Sequence, residues 1–241
     1  MFWYFLYYGS AIIILPGLIF SIFANVKIKT TFNKYNKVST LKGEGASTIA
    51  YNLLLQSGCP TNVDMVEGHL SDHYNPKTKV LSLSRTTFSS NSVASVAVAA
   101  HEAGHAVQDN EGYFLLKLRS FIVPFVNIGS YLAFPLAIIG VILEYFALKS
   151  TGTIGSILIG LGILLYSLST IFALITLPVE LNASKRALQM LLDYGYITKG
   201  EKKQMQKVLF AAALTYVASL VVSILYLLRF LLIIASIRKK D

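Results

Sequence analysis

Four stretches of this chain are apolar at almost every position, and the segments between them interleave polar with apolar residues. Residues 2–24, 121–148 and 154–177 are each long enough to cross about 30 Å of hydrocarbon as a helix. The short Lys149-Ser150-Thr151-Gly152 turn makes the second and third a hairpin. The fourth stretch, residues 208–236, contains Arg229 and runs into Arg238-Lys239-Lys240. It can span, enter part way, or pack its first half onto a polar domain.

The polar segments carry shorter patterns. Residues 47–56 place apolar side chains at helical spacing and stop at Ser57-Gly58-Cys59-Pro60. Residues 62–70 and 79–84 read as short strands forming a hairpin around the turn-rich Asp72-His73-Tyr74-Asn75-Pro76-Lys77. Ser90-Asn91 offers an N-cap to an Ala/Val-rich helix over 92–108. Pro178 suits the first turn of a new amphipathic helix over 179–194, with Lys185 and Arg186 on its polar side.

These patterns predict a mainly α-helical integral membrane protein with three to four transmembrane helices and a small α+β domain. The expected divisions are an anchor at 1–24, the first part of the α+β domain at 25–120, and a transmembrane hairpin at 121–177. The second part of that domain follows at 178–207, and a hydrophobic helical segment with a basic tail closes the chain at 208–241.

Composition agrees: mean hydropathy is +0.60 and only 14% of residues are charged, against about 25% in soluble domains. The net charge of +9 does not indicate nucleic acid, because the 21 Lys and Arg residues flank apolar spans and form no aromatic-interleaved patch. Ten of them fall in residues 25–120 and six in 178–207. The positive-inside rule therefore places both polar segments in the cytoplasm of a multi-pass cell-membrane protein, with the bilayer itself as a partner. Lysines follow the first span and do not precede it, which reads as an anchor with its N-terminus outside and not as a secretory signal. Cys59 is the only cysteine, so a thiolate cluster within one chain is excluded, and a metal site must use His and carboxylate.

His101-Glu102-Ala103-Gly104-His105 supplies such a site. On a helix the two imidazoles stand one turn apart on one face and can share an ion, while Glu102 points off that axis toward a water on the metal. Two of the four histidines in the chain thus fall at ligand spacing on a capped helix. A charged triplet on an Ala/Val-rich helix is costly unless something pairs with it. The helix is too short, and too polar at both ends, to be a span, which argues against an intramembrane protease.

Catalytic zinc takes three protein ligands and an open position. A further histidine six residues beyond His105 is absent, since that position is Glu111. Asp109 and Glu111 are too near the same helix end to fold back. Asp193 and Glu201 are possible donors, and Glu180 is best placed: it shares a membrane side with His101 and has small neighbours in Ala183 and Ser184. The competing role for Glu180 is a first-turn acid favoured by its helix dipole.

Five blocks, in order, resemble the bacterial membrane neutral zinc metallopeptidases of the YugP type, more distantly HtpX and the CAAX prenyl endopeptidases. They are Leu70-Ser71-Asp72-His73-Tyr74-Asn75-Pro76, Val80-Leu81-Ser82-Leu83-Ser84, His101 to Gln108, Leu177-Pro178-Val179-Glu180-Leu181-Asn182-Ala183-Ser184, and Ala211-Ala212-Ala213-Leu214-Thr215-Tyr216-Val217-Ala218. The resemblance implies a zincin-like, gluzincin-type hydrolase with one Zn2+ held by His101, His105 and Glu180. It implies Glu102 as general base and the strand before the active helix as partner of an extended substrate. Where the HtpX relatives carry Asp, this chain has Ser184, so Asn182, Ser184 or a backbone carbonyl is left to orient a ligand histidine. His73 and Tyr216 are candidate oxyanion stabilisers. His69 is expected to face solvent or the hairpin.

The expected activity is endopeptidase cleavage of membrane or membrane-proximal polypeptides. The non-enzymatic alternative is a membrane zinc sensor or transport protein using the same histidines.

Overall fold

The computed structural model describes residues 10–68, 71–146 and 152–238. The start of the first apolar stretch, His69, most of the turn at 149–152 and the lysines of the basic tail lie outside the described residues.

After a short 3-10 turn, α1 runs Leu15–Tyr35, α2 Ala46–Gln56, α3 Arg85–Phe88 and α4 Val93–Asn110. Three long helices follow: α5 Phe114–Phe146, α6 Gly152–Asp193 and α7 Lys199–Arg238. Strands β1 Asn62–Val66, β2 His73–Asn75 and β3 Val80–Ser84 form one sheet in the order β1-β3-β2.

Helices α1, α5, α6 and α7 are each long and apolar enough to cross a membrane. The chain divides into two compact units: an apolar one from residues 1–22, 118–177 and 216–241, and a polar one from 23–117 and 178–215. At 42 residues, α6 is about 60 Å long, roughly twice the hydrocarbon thickness, and its last 16 residues, from Pro178 to Asp193, belong to the polar unit. Likewise only the part of α7 from Tyr216 onward is in the apolar unit, and its first half packs in the polar one.

In the apolar unit α5 and α6 meet through small residues. A Cβ placed at Gly140 would lie 2.7 Å from the Gly155 carbonyl oxygen, and one at Gly162 2.7 Å from that of Ala133. Lipid gives apolar helices no hydrophobic reason to associate, so close backbone approach is what holds such pairs. Ile19, Phe125, Tyr131 and Ile157 stand exposed, as lipid-facing side chains do.

The core of the polar unit is α2 against α4, where Ile49, Leu53, Val96 and Ala100 are fully buried. Small side chains along α4 let its neighbours approach on several sides, so 13 of its 18 residues are buried.

Three local features differ from the sequence expectation. The hairpin joins β2 to β3, with Tyr74 opposite Leu81, while β1 pairs with β3 in parallel. Its turn is Pro76 to Lys79: Asn75 Oδ1 accepts the Lys77 and Thr78 N–H groups, and Lys79 takes φ 55°. That leaves His73–Asn75 free to be strand. The α4 N-cap is Ser92, whose hydroxyl accepts the Ser95 N–H, one residue beyond Asn91. Finally, Pro178 lies inside α6 and starts no helix. It removes one backbone donor, an interruption that long apolar helices absorb.

Glu201 forms a capping box at the start of α7. Its carboxylate accepts the Thr198 N–H at 2.8 Å, and the Thr198 hydroxyl accepts the Glu201 N–H. The second oxygen accepts the Leu41 N–H at 2.8 Å, tying in a distant loop. Burial pushes this carboxyl up, but the backbone donors outweigh it and hold its pKa below the usual range. A depressed folded pKa gives stability that is complete above the unfolded value and fades as pH falls through the folded one. Glu201→Ala is therefore expected to destabilise the polar unit by about 1–2 kcal/mol at pH 7. Denaturation midpoints in detergent should converge with wild type below the ordinary carboxylate range, and a deficit independent of pH would contradict this assignment.

Candidate metal centre

The centre is built where α4 touches α6. A Cβ added to Gly104 would lie 2.6 Å from the Ala183 carbonyl oxygen, and Ala183 is fully buried. Only glycine permits this approach, and it brings Glu180 over the two histidines. Glu180 Oε2 lies 3.2 Å from His101 Nε2 and 3.4 Å from His105 Nε2. The rings are 4.7 Å apart and nearly perpendicular, at 83°. Candidate donor atoms of all three residues fall within 4.8 Å of one another, and this is a triad that could hold a metal ion.

The other face of each imidazole is held by a side chain. Ser184 Oγ is 3.1 Å from His101 Nδ1, and Gln108 Oε1 accepts from His105 Nδ1 at 3.0 Å. The Gln108 amide is itself fixed, because its nitrogen donates to the Val179 carbonyl and to Asn182 Oδ1. Arg186 Nε also donates to Asn182 Oδ1, and its guanidinium pairs with Glu111 at 2.7 Å. With Nδ1 engaged, each ring directs Nε2 toward the shared point, as metal-binding histidines do. Ser184 and Asn182 were legible as orienting candidates in the sequence, whereas Gln108 was not. The available signal was an amide side chain three residues after His105, one helical turn on along the face that carries the histidines.

Glu102 stands apart from the three donors. Its carboxylate accepts the Tyr74 N–H at 2.9 Å, so the β2 backbone fixes it. Tyr74 is anchored in turn by its hydroxyl, which donates to Asp109 at 2.7 Å, and Lys79 pairs with the same carboxylate.

Burial acts against every charge here. For Glu180 burial pushes upward, yet hydrogen bonds from His101 and His105, and their charge, hold the carboxyl far below the usual range. Burial would lower His105, but the Glu180 hydrogen bond and the Glu102 and Glu180 charges raise it. In Glu102 burial dominates and raises the pKa, with both histidines pulling back. The result is one buried anion between two imidazoles and one carboxylate made more basic. The donor set fits zinc: nitrogen, nitrogen and oxygen, all converging, with no thiolate.

The other acids lie elsewhere. Asp193 accepts from Gln189, and Glu201 caps α7. Because α6 runs unbroken through Glu180, no helix begins there, and the first-turn dipole role is removed. His73 is exposed, its Nδ1 donating to the Ser71 carbonyl. Tyr216 lies on α7 in the apolar unit. The strand before the active helix, β3, has a neighbour on both sides. It therefore has no free edge for a substrate, and the strand that reaches Glu102 is β2.

A family model described as "Putative neutral zinc metallopeptidase" matches residues 10–235. "Putative membrane protease YugP" of Bacillus subtilis (strain 168) is 42% identical over 223 residues, which is 92% of this chain and 94% of that relative. No solved structure matches the chain. Zinc is the cofactor the family carries, and a His-His-Glu set is present to receive it. The chain belongs to the neutral zinc metallopeptidase family, as a membrane protein with four apolar helices of spanning length among the described residues.

Proposed function

We propose that this protein is a gluzincin-type endopeptidase cutting membrane or membrane-proximal polypeptides at the cytoplasmic face. One observation supports this above others: His101, His105 and Glu180 converge, while Glu102 is kept out of the donor set and fixed by a backbone N–H. A binding site alone has no use for a second, separately held carboxylate.

His101 and His105 would hold zinc through Nε2 and Glu180 through a carboxylate oxygen. When bound, zinc supplies Lewis acidity and makes water nucleophilic near neutral pH. Glu102, made more basic by burial, takes the proton of the attacking water and then delivers it to the leaving amine. The Tyr74 N–H keeps its carboxylate aimed during both transfers. Ser184 and Gln108 keep the imidazoles from rotating. His73, beside Tyr74 on β2, is the proposed donor to the developing oxyanion, and β2 is the edge along which an extended substrate would lie. The cytoplasmic placement rests on the sixteen basic residues in 25–120 and 178–207.

The test is hydrolysis of a casein-type substrate by the full chain in detergent and in vesicles of each orientation. Chelation should abolish cleavage and stoichiometric zinc restore it, with substrate outside inverted vesicles cut and substrate outside right-side-out vesicles spared. Chelator-insensitive cleavage would refute the zinc reading, and the opposite vesicle preference would refute the sidedness.

A further inference from the structure

Beyond the metal centre, the polar unit contains a pocket of about 330 Å³ between the end of α6 and the first half of α7, a size typical of ligand sites. Leu188 and Leu209 line it and are buried, and Phe210, also lining it, is 62% exposed. Lys185 and Lys202 belong to the same wall. Among the described residues no carboxylate pairs with either lysine. Nearby acids are engaged elsewhere: Glu180 with the imidazoles, Asp193 with Gln189, and Glu201 with the Thr198 and Leu41 N–H groups.

An apolar surface beside two uncompensated positive charges is complementary to an apolar group carrying a negative neighbour. Its position relates it to the chemistry. Ser184 lines this pocket, and its hydroxyl is also the partner of His101 Nδ1. A group seated there is therefore one side chain away from the donor set.

We propose that this pocket selects substrate: it takes an apolar side chain near the scissile bond, with Lys185 and Lys202 binding an adjacent carboxylate. That carboxylate comes from an Asp or Glu side chain or from the substrate's C-terminus. The inference rests on the peptidase reading above, so its test separates the two.

Binding of fluorescent peptides to zinc-loaded Glu102→Gln protein reads the pocket without turnover, and cleavage by otherwise wild-type chains reads selectivity. The peptides share a Leu and differ beside it in Glu, Gln or Lys, each with a free or amidated C-terminus. The expected result is tightest binding and fastest cleavage for a carboxylate-bearing peptide. Lys185→Glu/Lys202→Glu should weaken that peptide about tenfold, the scale of two charge contacts at the protein surface, and favour the Lys peptide. Zinc content and cleavage of the neutral amidated peptide should not change. Leu188→Trp should slow all peptides with zinc retained. The Glu and free-terminus arms identify which carboxylate is read.

If charge reversal leaves binding and selectivity unaltered while cleavage proceeds, the pocket assignment fails and the peptidase reading stands. If the acidic peptide binds through the lysines but is never cut, the pocket stands and the peptidase reading fails. Charge reversal that reduces only sedimentation with anionic lipid vesicles would assign the lysines to the membrane surface and overturn the proposal.

Discussion

Glu102→Gln protein is expected to purify with the zinc content of wild type and to hydrolyse peptides about 10²- to 10⁴-fold more slowly, the usual contribution of a positioned general base. Glutamine has the same shape, and its amide oxygen can still accept the Tyr74 N–H that meets Glu102 at 2.9 Å. The local structure should therefore persist while proton acceptance is lost. Glu102 is not among the three converging donors, so the metal should remain. Loss of zinc would make Glu102 a ligand, and undiminished turnover would remove its role as base. A zinc sensor or transporter would tolerate this change, so the same variant separates that alternative from an enzyme.

Gly104→Val should have the next largest effect. Even a single Cβ at residue 104 would approach the Ala183 carbonyl oxygen to 2.6 Å, a contact between the backbones of two helices that no rotamer change relieves. The helices must separate, carrying Glu180 away from His101 and His105. Overpacking of this kind costs about 1–3 kcal/mol. Falling on the metal-bound arrangement, that is about 5- to 150-fold in zinc affinity, measurable by chelator competition. Gly160 is the control, because a Cβ there meets nothing within 4 Å. Gly160→Ala should leave zinc affinity unchanged, and an equal loss in both variants would show general destabilisation.

Much of the centre was legible because part of its geometry is local. The spacing of His101 and His105 fixes their common helix face, and Glu102 follows from its place beside the first. Glu180 lies 79 residues from His101; its membrane side and small neighbours favoured it while leaving Asp193 and Glu201 open, the family resemblance implied it as ligand, and the reason those neighbours are small is visible in the Gly104–Ala183 contact. The orienting role of Gln108 was hidden because it depends on Val179 and Asn182, residues that no periodicity links to α4.

Strand order was hidden for a similar reason. The alternation in residues 62–66 and 80–84 marks strands without naming their partners. Asp72, which accepts from the Ser84 N–H and hydroxyl and from Thr87, helps hold β2 in place through contacts that cross the turn. Pro178 misled because proline usually marks a helix start or end, whereas here α6 continues and makes Glu180 part of the same rod as a spanning helix. The split of α7 at Tyr216 falls inside an apolar run that no charged residue marks, so the sequence left several arrangements of residues 208–236 open.

The central claim is that one zinc is held by two imidazoles on α4 and a carboxylate on α6. Elemental analysis of full-length wild type and Glu180→Ala, purified side by side under zinc-replete conditions, tests it most directly. The account predicts one zinc per wild-type chain and marked depletion in the variant; equal metal content in both would contradict it.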